Sequence, residues 1–369
     1  MPETHARRRQ ALRDLLRRAE LDAVLVTDLL NIRYLTGFTG SQAALVVHAA
    51  DEPGAERATA FSTDGRYRTQ SAEQVPDLER FIERPSELVL AEHLAQHPAR
   101  YRRTGFESGH VTVDGLDVIA AAAPGIELVR APGLVEELRL IKDAAEVDAL
   151  RMACAAADRA LADLIEHGGL RPGRTELEVA RELEARMREH GAAGPSFETI
   201  VAAGAHSAIP HHRPTSAVLA AGDFVKMDFG ALVDGYHSDM TRTVVLGSPA
   251  DWQREIYELV RTAQAAGCEA VRPGADVREV DGAARKVIED AGCGERFPHG
   301  LGHGVGLEIH EAPALSQRGD GTIREGMVVT VEPGVYVPER GGVRIEDTLA
   351  VRESTPELLT LTTKELVAV

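Results

Sequence analysis

The chain has 369 residues, 44% apolar and 27% charged, which are the proportions of an ordinary globular protein. It is long enough for two domains, because single cores stop growing at roughly 250 to 300 residues. A net charge of -17 argues against nucleic acid or an anionic membrane as partner, since both are bound largely through excess Lys and Arg.

The N-terminal stretch Thr4 to Glu20 has amphipathic spacing and predicts a helix without the uninterrupted apolar run of a signal peptide. Short strands are expected at residues 22–26, 43–47, 58–62 and 104–107, with helical stretches between and after them, so residues 1–135 read as a small α/β domain. Ala131-Pro-Gly133 breaks the chain. From Leu134 to Ala156 the apolar spacing of Leu138, Ile141, Val147 and Leu150 predicts one long helix leading into a second domain, residues 136–369. Cys154, Cys268 and Cys293 show neither CxxC spacing nor an even count, which points to reduced thiols and a cytoplasmic protein. No stretch approaches the ~18 apolar residues of a membrane span.

The second domain repeats itself. Arg171-Pro-Gly173 precedes a helix-like stretch from Glu176 to His190, and Arg272-Pro-Gly274 precedes another from Asp276 to Asp290. Each is followed by an apolar strand that ends in an acid and a glycine, Asp228 before Gly230 and Glu332 before Gly334, and then by an acid-x-Thr sequence, Asp239 to Thr241 and Glu346 to Thr348. Two αβ halves about a pseudo-twofold, with the acids meeting at the axis, are the expected packing. Asp234-Gly235 is a two-residue hairpin signal that would pair Asp228 with Thr241 and Asp239 with Gly230, placing both acids on one face. In the second hairpin Val343 and Ile345 alternate with Arg344 and Glu346, so one face is apolar and the other carries a cation beside an acid.

A carboxylate placed in such a strand costs several kcal/mol to desolvate unless it is paired or holds a cation. Four of them point to metal. His303 lies in the glycine-rich stretch 299–310 with His299 and His310, and the glycines let backbone approach a crowded centre. Oxygen donors with one imidazole suit Mn, Co, Zn or Fe(II), and two such ions would balance four carboxylates. A metal pair can supply a nucleophilic water and polarise a carbonyl together.

The order Asp228, Asp239, His303, Glu332, Glu346, with Gly302 to Gly306 and Gly342 to Glu346 around the last ligands, resembles the pita-bread metallopeptidases: Xaa-Pro aminopeptidases, Xaa-Pro dipeptidases (prolidases) and methionine aminopeptidases. Residues 31–41 and 63–67 are similar to segments of the creatinase/prolidase N-terminal domain, which the methionine enzymes lack. The resemblance implies a small α/β domain followed by a pita-bread catalytic domain. Asp228 and Asp239 would bind one ion, and Asp239, His303 and Glu332 the second. Glu346 would bridge both, and Glu332 would shuttle a proton. His211 and His310 would hold the substrate carbonyl and contact the proline side, with Arg344 close behind Glu346 or in the substrate pocket. His212, His237 and His299 would stand behind these groups, and His206 in a loop. Manganese is the expected metal, and a homodimer the expected assembly. Gly37 to Ser41 leans toward an aminopeptidase cleaving the N-terminal Xaa-Pro bond of peptides, with a dipeptidase as the alternative. A non-peptide amidohydrolase or a non-catalytic binding protein on the same fold are the readings of other classes.

Overall fold

The computed structural model describes residues 2–50 and 55–369, and these form two compact units, Met1–Arg139 and Leu140–Val369. In the first unit six strands, β1 (Ala23–Val26), β2 (Ala43–His48), β3 (Ala60–Thr63), β4 (Glu79–Ile82), β5 (Arg103–Phe106) and β6 (Glu127–Arg130), form one mixed sheet of order β4-β3-β2-β1-β5-β6. Its helices are α1 (Pro2–Arg18), α2 (Leu29–Thr36), α3 (Arg68–Gln74), α4 (Ser86–Ala95), α5 (Val113–Ala122) and α6 (Leu134–Arg139). The Asn31 segment belongs to α2, which Asp28 caps by accepting from Leu30 N at 2.8 Å and Gly37 ends at φ 79°. Asn31 is fully buried, and its side chain donates to Glu107 (2.7 Å) and accepts from Arg139 (2.9 Å), tying the helix to β5 and α6.

The second unit begins with a correction. One continuous helix from Leu134 to Ala156 was expected, and the chain instead leaves α6 at Arg139 and starts α7 (Ala144–Glu166) after a break. Asp143 caps α7, accepting from Ala145 N and Glu146 N, while Glu146 returns a bond to Asp143 N, a full capping box. At the same break Lys142 N donates to Gly326 O, so tertiary bonds replace the helical ones.

The two halves that the repeat suggested each pair two helices with a sheet. In the first half α7 and α8 (Glu176–Glu189) pack on the sheet β12-β9-β8, built from β8 (Ile200–Ala203), β9 (Phe224–Phe229) and β12 (Met240–Val245). A smaller sheet holds β7 (Gly194–Pro195), β10 (Ala231–Val233) and β11 (Tyr236–His237). In the second half α9 (Asp251–Ala270) and α10 (Val277–Asp290) pack on β13 (Gly302–Gly304), β14 (Glu311–Leu315), β15 (Val328–Val331), β18 (Asp347–Ala350) and β19 (Glu357–Leu358), while β16 (Gly334–Val337) pairs with β17 (Gly341–Arg344).

The first hairpin has the register read from its turn. Thr241 faces Asp228 and Tyr236 faces Val233, with Asp234 and Gly235 at φ 48° and 76° as a type I′ turn requires. The second hairpin differs in detail. Val331 faces Asp347 and Gly334 faces Arg344, so the intervening Glu332 and Glu346 fall opposite one another, whereas Asp228 and Asp239 are diagonal.

Candidate active site

Alternation sends Val225, Met227 and Phe229 of β9 into the core and leaves Lys226 and Asp228 on the other face. Asp239 enters β12, Glu332 leaves β15 and Glu346 links β17 to β18, so all four acids stand at strand ends around one cavity. The two hairpins meet along β12 and β17, where Glu346 N donates to Thr241 O (3.1 Å) and Thr243 Oγ1 donates to Arg344 O (3.0 Å). The acid-x-Thr repeat acquires a reason here. Thr241 Oγ1 donates to the Glu346 carboxylate at 2.7 Å, and Thr348 Oγ1 donates to the Asp239 carbonyl at 2.8 Å, so each half's threonine serves the acid-bearing residue of the other half.

His303 comes in on β13. Its flanking glycines are demanded by close approach: a Cβ on Gly302 would stand 2.0 Å from Thr330 O, and one on Gly304 2.1 Å from Ala312 O. The ring donates through Nδ1 to Gly304 O at 2.9 Å, which leaves the Nε2 lone pair facing Asp239 and Glu332, each 3.5 Å away. Burial pushes its pKa down to about 4, so the imidazole is neutral near pH 7.

The carboxylates are poorly satisfied by protein. Asp228 Oδ1 and Glu346 Oε1 are buried without a hydrogen-bond partner, and ligand atoms of Asp239, His303 and Glu346 lie within 4.8 Å of one another. Burial, reinforced by repulsion from neighbouring acids, pushes Asp239 and Glu346 well above the usual carboxylate range; burial raises Glu332 to about 8 against the opposing pull of Arg344. Such a group resists full ionisation by itself. Divalent cations would take up both orphaned oxygens and remove the repulsion, so the donor set fits a metal pair.

Arg344 is buried beneath this centre. It is ion-paired to Asp228, approaches Glu332 at 3.8 Å, and donates to Thr241 Oγ1 (3.0 Å), Tyr336 OH (2.9 Å) and Pro210 O (3.1 Å); it does not line the cavity. Tyr336 OH passes the chain on to His299 Nε2 at 2.8 Å, whose Nδ1 donates to Gly300 O. Burial, then the nearby Arg344 charge, pushes His299 down to about 3. His237 is held by Ser196 through its hydroxyl (2.8 Å) and carbonyl (3.0 Å), outside the cavity lining.

The cavity, of about 290 Å³, is at the small end of the roughly 300–1,000 Å³ usual for ligand clefts. His211 and His310 line it, the latter with its ring centroid 4.5 Å from that of His303, and Phe197, Ile200 and Ile309 add apolar wall. Burial lowers the His211 pKa, with Arg344 contributing.

Four groups in and around this site carry no obvious motif. Glu176, fully buried at the start of α8, accepts from His206 (2.9 Å), His212 (2.9 Å), Ala203 N (2.9 Å), and both Thr215 N (2.9 Å) and Thr215 Oγ1 (2.8 Å). Its neighbour Thr175 and the capping-box Glu178 signal a helix start, and nothing in that signal marks the acid between them as interior. Lys226, whose burial pushes its amine down to about 6, donates to Ile209 O (2.6 Å) and Pro210 O (3.1 Å). Arg213 and Glu198, at the cavity, have no partner legible in sequence at all.

The description "Metallopeptidase family M24" matches residues 148–353, more than half of the chain. The chain belongs to metallopeptidase family M24. Residues 8–141 match the creatinase/prolidase N-terminal domain. A relative from Bacillus subtilis (strain 168), described as an uncharacterized peptidase, is 41% identical over 97% of this chain and 99% of its own length. The Xaa-Pro dipeptidase of Pyrococcus horikoshii is 36% identical over 94% of this chain and 95% of that one. Among solved structures, an Xaa-Pro dipeptidase from Bacillus anthracis aligns with a TM-score of 0.92 at 38% identity, covering 99% of this chain and 100% of that one. An X-Pro aminopeptidase from Thermotoga maritima aligns at 0.87 and 32% identity, covering 98% and 99%. This M24 chain is thus a metal-dependent peptidase with a creatinase/prolidase N-terminal domain and a pita-bread domain. The aminopeptidase reading drawn from residues 37–41 is the less supported one, because full-length relatives carry the dipeptidase name. Among the described residues no helix is long and apolar enough to cross a membrane.

Proposed function

We propose that this chain is an Xaa-Pro dipeptidase that uses two divalent ions, held by Asp228, Asp239, His303, Glu332 and Glu346. The observation that carries the reading is the small cavity in which those five residues converge with His211 and His310. Oxygen-rich donors with one imidazole favour manganese as the resident ion. When bound, the ions supply Lewis acidity, which polarises the scissile carbonyl and makes a nucleophilic water available near neutral pH.

The protein's own groups do the remaining work. Phe197, Ile200 and Ile309 receive the apolar pyrrolidine ring, and His211 and His310 donate to the carbonyl oxygen as negative charge builds on it. Neutral His211 is suited to this, since burial favours an uncharged ring. Glu332 takes the proton of the attacking water and delivers it to the departing proline nitrogen, which, as a tertiary amide nitrogen, brings no hydrogen of its own. Arg344 and Lys226 position the loop that carries His211 through the carbonyls of Ile209 and Pro210. The free thiols of Cys154 and Cys268, held protonated by burial, support a reducing cytoplasm as the place of work. A homodimer is the proposed assembly.

The test is the hydrolysis of Ala-Pro beside Ala-Pro-Ala by the manganese-loaded protein, with a chelator control. Preferential cleavage of Ala-Pro is expected. Preferential cleavage of the tripeptide would favour the aminopeptidase reading, to which the Thermotoga maritima structure lends weight.

A further inference from the structure

A dipeptide differs from every longer substrate in one respect that matters to a binding site: its proline carries a free carboxylate. That charge must meet a cation. Two basic side chains lie near the cavity without lining it, Lys226 and Arg344, and both are buried: burial pushes the Lys226 amine down to about 6, and Arg344 has its donors committed. Lys226 holds the carbonyls of Ile209 and Pro210, and Arg344 holds Asp228, Thr241, Tyr336 and Pro210. Among the described residues that line the cavity, Arg213 is the one lysine or arginine.

Arg213 has an exposed side chain on a fixed backbone. The preceding His212 and the nearby Thr215 are both bonded to the buried Glu176 carboxylate, at 2.9 Å from His212 Nε2 and 2.8 Å from Thr215 Oγ1. On the other side of His211 the carbonyls of Ile209 and Pro210 are held by Lys226. The loop is therefore pinned at both ends. The guanidinium itself is steadied by Glu198, whose Oε2 lies 3.1 Å from Arg213 Nε, and Glu198 lines the same cavity beside Phe197. One contact does not exhaust a guanidinium, which presents five N–H donors in a planar fork suited to a second carboxylate.

We propose that Arg213 binds the C-terminal carboxylate of the dipeptide substrate, with Glu198 holding the guanidinium over the cavity, and that this pair makes the site selective for dipeptides. The inference rests on the dipeptidase reading and adds to it the residue that recognises the substrate's end. Because the carboxylate is equally present in ground state and transition state, the contact acts as uniform binding, which appears in KM and not in kcat.

The experiment compares wild type and Arg213→Ala, both loaded with manganese, on Ala-Pro and on Ala-Pro-NH2, which lacks the charge. Expected is a rise of roughly tenfold in KM for Ala-Pro in the variant, the factor that corresponds to about 1.4 kcal/mol, with kcat within about twofold and the amide unaffected. An unchanged KM for Ala-Pro, or an equal loss on acid and amide, in an enzyme whose wild type still prefers Ala-Pro to Ala-Pro-Ala would overturn the role of Arg213 and leave the dipeptidase reading intact. A wild type that cleaves Ala-Pro-Ala at least as well as Ala-Pro would overturn the dipeptidase reading itself.

Discussion

Replacing Thr241 by valine removes one hydroxyl at nearly constant volume, from a position where that oxygen has two charged partners. It donates to Glu346 Oε2 at 2.7 Å and accepts from Arg344 Nε at 3.0 Å. In the variant both oxygens of Glu346 lack a donor, since Oε1 is already buried without one. Hydrogen bonds to charged groups contribute about 1.5–3 kcal/mol, and the groups that orient metal ligands change affinity by roughly 10- to 100-fold. Thr241→Val should therefore weaken divalent-metal binding by roughly tenfold or more, because the carboxylate that must ionise to bind has lost its stabilising donor. Thr348→Val is the internal control. Its hydroxyl serves a neutral carbonyl, Asp239 O at 2.8 Å, and a neutral bond contributes about 0.5–1.5 kcal/mol, so its effect should be several-fold smaller. Titration calorimetry of the metal-free proteins with manganese reads both. Equal affinities for wild type and Thr241→Val, or a larger loss in Thr348→Val, would refute the reasoning.

Asp239→Ala or Glu346→Ala should lower bound metal toward zero by elemental analysis, as expected of ligands shared by two ions, whereas His303→Ala should retain one ion more readily than two. His211→Ala and His310→Ala should keep near wild-type metal content while kcat for Ala-Pro falls by about 10² to 10³, the usual loss for one oxyanion donor; metal loss in either would reassign that histidine. Metal-free protein should lose stability relative to manganese-loaded protein as pH rises. Burial raises Glu332 from 4.5 to about 8 in the folded state, so its contribution is complete below the unfolded value and is lost as pH climbs through about 8. His303, lowered from 6.5 to about 4, acts in the opposite sense only below 6.5, and Lys226, lowered from 10.5 to about 6, acts in the opposite sense from about pH 6 upward with or without metal, so thermal melts of metal-free and manganese-loaded protein between pH 6.5 and 8.5 are compared to isolate the acids. The melting temperature of the metal-free protein should fall further below that of the manganese-loaded protein across this range; a gap that stays constant or narrows would contradict it.

What could be read from the sequence and what could not divide along physical lines. The first hairpin's register was legible because Asp234-Gly235 fixes a two-residue turn, and pairing then follows residue by residue. The acids stood out because a charge inside a Val, Met and Phe strand has few explanations. The break at residues 140–143 was hidden by apolar spacing that continues across it, although Asp143 and Glu146 form a capping signal within that very stretch. Strands β4 and β6, Glu79–Ile82 and Glu127–Arg130, lie at the sheet edges with charged residues in them and lack the apolar run that revealed β1 and β2. Glu176, Lys226 and Tyr336 looked like ordinary helix-start, strand and hairpin residues. Their burial is set by partners distant in the chain, such as Thr215 for Glu176 and His299 for Tyr336, and no local pattern encodes that.

The central claim is that two divalent ions in this cavity make the chain an Xaa-Pro dipeptidase. Stepwise addition of manganese to metal-free protein, at a concentration well above the dissociation constants, with Ala-Pro hydrolysis followed at each step, tests it directly. Activity should rise until two ions per chain are present and then level off. Full Ala-Pro turnover reached at one ion per chain, or turnover that persists in the metal-free protein, would contradict the account.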